Sequence, residues 1–545
     1  MDISTAWVKP TNAIGGLDHL AVQAPCINLY GRMLPGITNV TDRARYYSFY
    51  PWVIWALEQL GHRYGDAFID WFRKADCLFT LIAERHAKVV GGERDDHAAA
   101  TVGSGNMAEP VTMVREGGSV RLSEYACRNG KTRYFKNTLG GLGQYYIGVF
   151  RELGIMTGDL QSGIKNIKEV GGSLAEALDR QVNRELFFKT IEEDTVSAAR
   201  LDELHAFCPC ALHESQEELT KLAGMLFVQG QFFDQNSLVR RRTLQMLLFL
   251  SDSLAAEGMN LGIEQFRGCT YSGGLPEKKE WDLPERLQVT RQQWAIYQRN
   301  EILSLAVQGI FYVILGQYGS SGERFQSVDE LVLWFLERPE VEGVASFFPL
   351  DSPVGHAKRE ADSWLPPLDD WGNDSHEIQL AFQIETLCRD KHAHDKHAAI
   401  LLACLKALVA LQCRHEIGDG YGDFVFPPNY LQAYPINLQT FNHHSSNTWD
   451  TLSMREWIGW LAKSWGINTH FMVALRKLRG QSQSTFRIRP SDQGLEMVEA
   501  PQAVFTTPRF RQAVRILKDI GALVRTGEVW APSELGKRFM EMADE

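Results

Sequence analysis

Cys208, Cys210 and His213 place three potential metal ligands within six residues, with Pro209 between the two thiols. A zinc module draws four ligands from two closely spaced pairs, and no second cysteine or histidine pair lies at that spacing. Cys388, His392, His394 and His397 are denser. On a helix Cys388 and His392 share one face and His394 and His397 another, so the four do not converge. The interspersed Arg389, Asp390, Lys391, Asp395 and Lys396 fit a solvated helix start. No metal site is expected from either group.

Other chemistry finds less support. Leu139-Gly140-Gly141-Leu142-Gly143-Gln144-Tyr145-Tyr146 is glycine-rich, yet it lacks the Gly-Lys-Ser/Thr of a phosphate loop and the glycine spacing of a dinucleotide fingerprint. A turn packed against a following helix, Gln144 to Leu153, is the expectation. There is no Gly-x-Ser-x-Gly and no arguable Cys/His pair for nucleophilic catalysis. Glu192-Glu193-Asp194 and Asp369-Asp370 are ordinary surface carboxylates, and Arg240-Arg241-Arg242 is expected to form ion pairs with nearby acidic helices. No catalytic residue, cofactor or metal is expected, and the chain reads as a non-enzyme.

Phosphate binding is the chemistry the sequence does suggest. Thr507 and Pro508 suit an N-cap and a first helical position. Phe510, Ala513, Val514 and Leu517 follow the three-four spacing of a buried face, with Gly521 as the left-handed stop. Arg511, Arg515 and Lys518, at i, i+4 and i+7, make one cationic row. Leu523-Val524-Arg525 and Glu528-Val529-Trp530 flank Thr526-Gly527 as a hairpin, and Ser533 can cap a last helix through Met540. Helix, hairpin and helix in this order are the grammar of a winged helix.

An earlier stretch repeats that order. Met454 to Trp465 reads as a helix, broken at Gly466, and His470 to Arg479 as a second, with Phe471, Leu475 and Leu478 inward and Arg476, Lys477 and Arg479 outward. Thr485 to Arg489, carrying Arg487 and Arg489, then alternates like a strand before a turn at Ser491 to Gly494. Residues 470 to 538 hold 12 Lys and Arg against 6 Asp and Glu, so a +6 island sits on a chain whose net charge is −11. Clustered cations are what phosphate neutralisation needs. The candidate nucleic-acid-binding residues are therefore Arg476, Lys477, Arg479, Arg487, Arg489, Arg511, Arg515, Lys518 and Arg525. Against this stands the plainer reading, in which they are the solvated faces of amphipathic helices or a protein-contact surface.

The body must position this tail. At 545 residues, with 44% hydrophobic and 23% charged side chains, the chain is globular and too long for one ordinary core. The segments expected are a mixed, mainly helical domain (1–165), a helical domain (166–350), a second helical domain with an irregular aromatic stretch (376–450) and the winged-helix-like region (451–545), possible in tandem form. Asp351 to Ser375, rich in Pro, Asp and Gly, is the connector. Tyr125 to Phe135 fits either a hairpin or a helix ending at Asn129. The fold class expected is mainly α, a multi-domain helical body with a C-terminal region of helices and small hairpins.

No basic-then-apolar leader opens the sequence, and the longest apolar run, Ile302 to Gly316, falls short of the ~20 residues a bilayer span needs. That run is expected to be a buried helix. Nine cysteines fit reduced thiols better than a disulfide framework, so a cytoplasmic location without membrane contact is expected.

Residues 34 to 52, Leu-Pro-Gly-Ile-Thr-Asn-Val-Thr-Asp-Arg-Ala-Arg-Tyr-Tyr-Ser-Phe-Tyr-Pro-Trp, crowd Arg43 and Arg45 among aromatics. Such interleaving can stack on bases and hold phosphates, but a core role, with the arginines bonded to carboxylates such as Asp18 or Asp42, is favoured. The Leu-Pro-Gly, Arg-Ala-Arg-Tyr and Pro-Trp pieces resemble an N-terminal element of uncharacterised bacterial accessory proteins encoded in antiphage defence islands, from which the central Asn39-Val40-Thr41-Asp42 departs. The resemblance covers this element alone and carries over no catalytic residue. It implies an accessory subunit working with a separate nuclease, helicase or ATPase. The functional expectation is a DNA-binding or adaptor subunit; the alternatives are a protein-contacting scaffold without DNA binding, and an unrecognised nuclease or nucleotide-dependent enzyme.

Overall fold

Apolar side chains recurring every three or four residues wind most of the chain into helix, as the computed structural model shows for residues 18–91, 97–227, 235–390, 396–418, 420–478 and 484–543. The helices that matter below are α1 (Tyr46–Gln59), α2 (Gly65–Val90), α3 (Ser173–Asp179), α4 (Gln216–Phe227), α5 (Gln235–Ala256), α6 (Ile263–Ser272) and α7 (Glu285–Ser321). They are followed by α8 (Glu377–Arg389), α9 (Lys396–Cys413), α10 (Met454–Trp460), α11 (Thr469–Leu478), α12 (Phe510–Asp519) and α13 (Glu534–Met540). Strands are short and pair antiparallel in twos: β1 (Ser119–Arg121) with β4 (Thr195–Ser197), β2 (Met156–Thr157) with β3 (Lys165–Asn166), β5 (Ile488–Ser491) with β6 (Gly494–Met497), and β7 (Leu523–Thr526) with β8 (Val529–Pro532). The protein is mainly α with small hairpins.

The chain forms two compact units, each discontinuous in sequence: residues 1–30 with 262–506, and residues 31–261 with 507–545. This division differs from the four consecutive segments expected, and it separates the two tail stretches, 451–506 and 507–545.

In the first unit α7 is the central helix, packed against α6, α8 and α9. Its Trp294, Tyr297, Asn300 and Glu301 are buried, with Asn300 accepting from the Tyr421 hydroxyl at 2.8 Å and Glu301 accepting from the Thr506 amide at 2.6 Å. The most apolar windows of α7 and α9 are long enough to cross a membrane, but 72% and 67% of them lie buried inside the protein, as expected of core helices. Here the expected break at Gly466 is absent. A π-helical stretch, Leu461–Asn468, joins α10 to α11, and Thr469 is itself helical rather than a cap. The wider turn keeps Trp457, Ile458, Leu461 and Trp465 buried, as their spacing predicts.

The face of α11 is also turned from the one expected. Val473, Ala474 and Lys477 are inward, while Met472, Leu475 and Leu478 are 42%, 57% and 42% exposed. The cause is polar: Lys477 Nζ donates to the Asp18 carbonyl at 2.6 Å, and His470 lies between the His19 carbonyl and the Arg487 amide.

The second unit is built around the aromatic helix α1, which packs on α2 and α3. Tyr46, Tyr47, Phe49, Tyr50 and Trp52 are fully buried, so the residues 34 to 52 serve the core. The two arginines do bind carboxylates, but Asp519 and Glu218 rather than Asp18 or Asp42. The glycine-rich turn also belongs to the core. Asp76 accepts from the Tyr50 hydroxyl (2.9 Å), the Tyr134 hydroxyl (2.8 Å) and the Gly141 amide (2.9 Å), and Gly140, at φ +54°, has no room for a Cβ beside Tyr134. The Tyr125 to Phe135 stretch is a short helix, Leu122–Ala126, followed by irregular chain. Arg73 holds that chain, donating to the carbonyls of Ala126, Cys127, Phe135, Asn137 and Thr138. Arg240 likewise donates to the Pro35, Met225 and Leu226 carbonyls, backbone contacts that the sequence did not suggest for the arginine triplet.

Candidate nucleic-acid interface and a cysteine-histidine cluster

The last helix, hairpin and helix form within the second unit, on α5. Ser533 caps α13 by accepting from the Gly536 amide at 3.1 Å, and Gly521 takes the left-handed conformation at φ +71°, both as the sequence implies. The hairpin pairs Thr526 with Val529, so its turn is Gly527-Glu528, one residue later than expected. Helix α12 begins at Phe510, and neither Thr507 nor Pro508 starts it. Arg509 occupies the preceding position at φ +59°, with Nη1 donating to the Leu34 carbonyl at 2.8 Å. That contact sets the entry of the chain where the local signals favoured an earlier start.

The cationic row on α12 is largely engaged. Arg515 Nη1 lies 3.0 Å from Asp42 Oδ1, both side chains nearly buried, and Lys518 Nζ sits 3.7 Å from the centre of the Trp530 ring. Arg511 is exposed. Arg525 lies 3.4 Å from Glu528 on the exposed hairpin. In the first unit, Arg476 Nη1 donates to the Ala433 carbonyl at 2.6 Å and Lys477 is buried. Arg487 pairs with Glu499 at 2.7 Å and Arg489 with Glu496 at 2.9 Å. Arg479 lies outside the described residues. Of the eight described members, Arg476, Lys477, Arg487 and Arg489 belong to the first unit and Arg511, Arg515, Lys518 and Arg525 to the second. Two cations that the sequence reasoning passed over, Lys537 and Arg538 on α13, are exposed, and Arg538, like Arg511, has no ion-pair partner among the described residues. Their position just after a capping serine was the available signal.

The same unit gathers four metal-type ligands. His86 comes from the last turns of α2, His97 follows some ten residues later, and Cys208 and Cys210 flank Pro209 at the start of a 3-10 turn, Pro209–Glu214. Their donor atoms all lie within 4.8 Å of one another. Cys208 Sγ is 3.5 Å from His97 Nδ1 and Cys210 Sγ is 3.4 Å from His86 Nδ1. Cys208 and His97 are buried, whereas Cys210 and His86 are half-buried. Ala83, Ala87 and Ala98 close the apolar side. The Cys208 thiol beside it, with the Arg45 and Arg43 guanidinia nearby, holds Cys210 below the usual thiol range.

Backbone contacts fix the cluster from behind. Arg45 Nη1 donates to the Cys208 carbonyl at 3.2 Å, and Arg43 Nη1 donates to the His97 carbonyl at 3.4 Å. His213, the third ligand suggested by spacing, lies instead against Gly521. Of the other suspected group, His392 and His394 lie outside the described residues, Cys388 is buried, and His397 Nδ1 is paired with Gln317 at 2.6 Å. His86 and His97 were missed because their partners lie more than a hundred residues away. Comparison with protein-family models, with curated proteins and with solved structures returned no match.

Proposed function

We propose that the chain is a non-enzymatic, DNA-binding adaptor subunit of a bacterial antiviral defence complex, working with a separate nuclease, helicase or ATPase. The DNA contact is the C-terminal unit of α12, the β7/β8 hairpin and α13. One observation carries this reading: Arg511 and Arg538 are exposed on that unit with no ion-pair partner among the described residues, leaving their guanidinium forks available to phosphate. The defence setting rests on the resemblance of residues 34 to 52.

Deleting the tail is a poor test, because Asp519 and Arg515 are partners of Arg43 and Asp42 in the core. Charge reversal of Arg511 and Arg538 is cleaner. Duplex DNA binding by the full chain, followed by fluorescence anisotropy across a salt series, should weaken by about tenfold or more in the double variant, with the salt slope falling by about 2. Unchanged affinity and slope would rule the reading out.

A second reading, a scaffold that contacts protein only, is favoured by the exposed apolar side chains Met472, Leu475 and Leu478 on α11. It is supported if the wild-type chain shows no salt-dependent DNA retention while substitution of Leu475 by Asp abolishes co-purification with a partner.

A further inference from the structure

We propose that His86, His97, Cys208 and Cys210 form a closed, four-coordinate zinc site that holds the second unit together. Two thiols and two imidazoles are the donor set zinc takes in structural sites, and the thiolates disfavour the hard cations magnesium and calcium. The spacing fits as well as the chemistry. A tetrahedral zinc with bonds of about 2.3 Å to sulphur and about 2.0 Å to nitrogen keeps a sulphur and a nitrogen ligand about 3.5 Å apart. The two cysteine-histidine distances are 3.5 and 3.4 Å.

Four protein ligands leave no open position for a substrate, so the site is structural rather than catalytic. It joins the end of α2, the segment after it and the turn after Cys208, closing a loop of 111 residues between His97 and Cys208. Its backbone is already aimed. Arg43 and Arg45 grip the carbonyls of a histidine and a cysteine ligand, the kind of outer contact that orients metal ligands. The same Arg43 side chain holds Asp519 of α12, and the Pro209–Glu214 turn packs on α12. Metal at this cluster thus stabilises the seat of the C-terminal helix.

Full-length protein purified without chelator should carry about one zinc per chain by plasma mass spectrometry. Exchange with Co2+ should give thiolate-to-cobalt charge transfer and the strong visible bands of a tetrahedral ion. Cys210→Ser should lose the metal and the charge-transfer band, while Cys269→Ser, at a buried cysteine of the other unit, should keep both. Should Cys210→Ser fail to fold, thiol accounting on the wild-type chain decides the matter. Cys210 should resist alkylation until a chelator is added, with Cys127 and Cys413 unaffected by the chelator. Folded wild-type protein that holds no stoichiometric zinc and gives no cobalt band would overturn the proposal. So would a Cys208–Cys210 disulfide in protein kept under reductant, or Cys210 alkylation that ignores the chelator.

Discussion

The Arg43 guanidinium and the Asp519 carboxylate meet face to face, with Nε to Oδ2 and Nη2 to Oδ1 both at 3.0 Å, across 476 residues of sequence. The Ala44 amide adds a third hydrogen bond to the same carboxylate at 2.9 Å. The two side chains are 1% and 9% exposed, so neither has bulk water to fall back on. Removing the carboxylate strands a buried cation, a change that costs about 3–5 kcal/mol. Asp519→Ala should therefore lose about that much in urea denaturation, while Arg511→Ala, on the exposed side of the same helix, should stay within about 0.5 kcal/mol of wild type. Equal effects from the two substitutions would contradict the pairing.

His470 is held in one neutral tautomer. Its Nδ1–H donates to the His19 carbonyl at 3.1 Å and its Nε2 accepts the Arg487 amide at 2.8 Å. Burial, with Arg487 and Lys477 nearby, pulls its pKa from 6.5 to about 4. Between those values the unfolded chain binds the proton that the folded one refuses, so stability falls as pH drops through this window. The loss from this residue approaches about 3 kcal/mol below pH 4. His470→Gln keeps a donor and an acceptor and does not titrate. Its stability relative to wild type should therefore rise on acidification from pH 7 to 4, and a constant difference would refute the assignment.

Asp76 in the other unit should behave in the opposite sense. Burial raises its pKa from 3.8 to about 6, against the lowering effect of the Gly141 amide and the Tyr134 and Tyr50 hydroxyls. The folded state now holds the proton more tightly, so this contribution is full below about pH 4, fades as pH rises towards 6 and is flat above it. The span is about 3 kcal/mol. Asp76→Asn should remove that slope, seen as a wild-type-minus-variant stability that declines from pH 4 to 6.

Gly268 lies inside α6, where alanine would ordinarily gain about 1 kcal/mol of helix propensity. The Trp371 ring lies directly over it, leaving no space for a Cβ, and Trp371 Nε1 is anchored to the Gly274 carbonyl at 3.1 Å. Overpacking should win. Gly268→Ala is expected to destabilise by about 1–3 kcal/mol, readable as a lower urea midpoint; a gain would mean the indole moves freely.

Local signals survived into the structure where the determining partner is also local. Ser533 and the α13 start, Gly521 after α12, the paired β7 and β8, and the burial of α7 all follow from residues within a turn or a strand of one another. The face of α11 did not follow, because Asp18 and His19, far upstream, decide what Lys477 and His470 do. Arg509 is a similar case, since the Leu34 carbonyl sets its left-handed turn. The cysteine-histidine cluster is the extreme one. Cys208-Pro209-Cys210 was visible as half a site, but the other half, His86 and His97, is brought in by α2 and carries no spacing relation to it.

The interlaced segments of the two units also have a consequence in time. Asp519 leaves the ribosome 476 residues after Arg43. At about 5–20 residues per second the arginine waits roughly 25 to 95 s for its carboxylate. During that interval the nascent chain holds an unneutralised guanidinium beside the aromatic helix and lacks the strand pair and helices that cover α5. Synthesis order thus leaves the second unit open to chaperones and proteases until Asp519 has been made, and makes premature termination anywhere before it a route to rapid turnover.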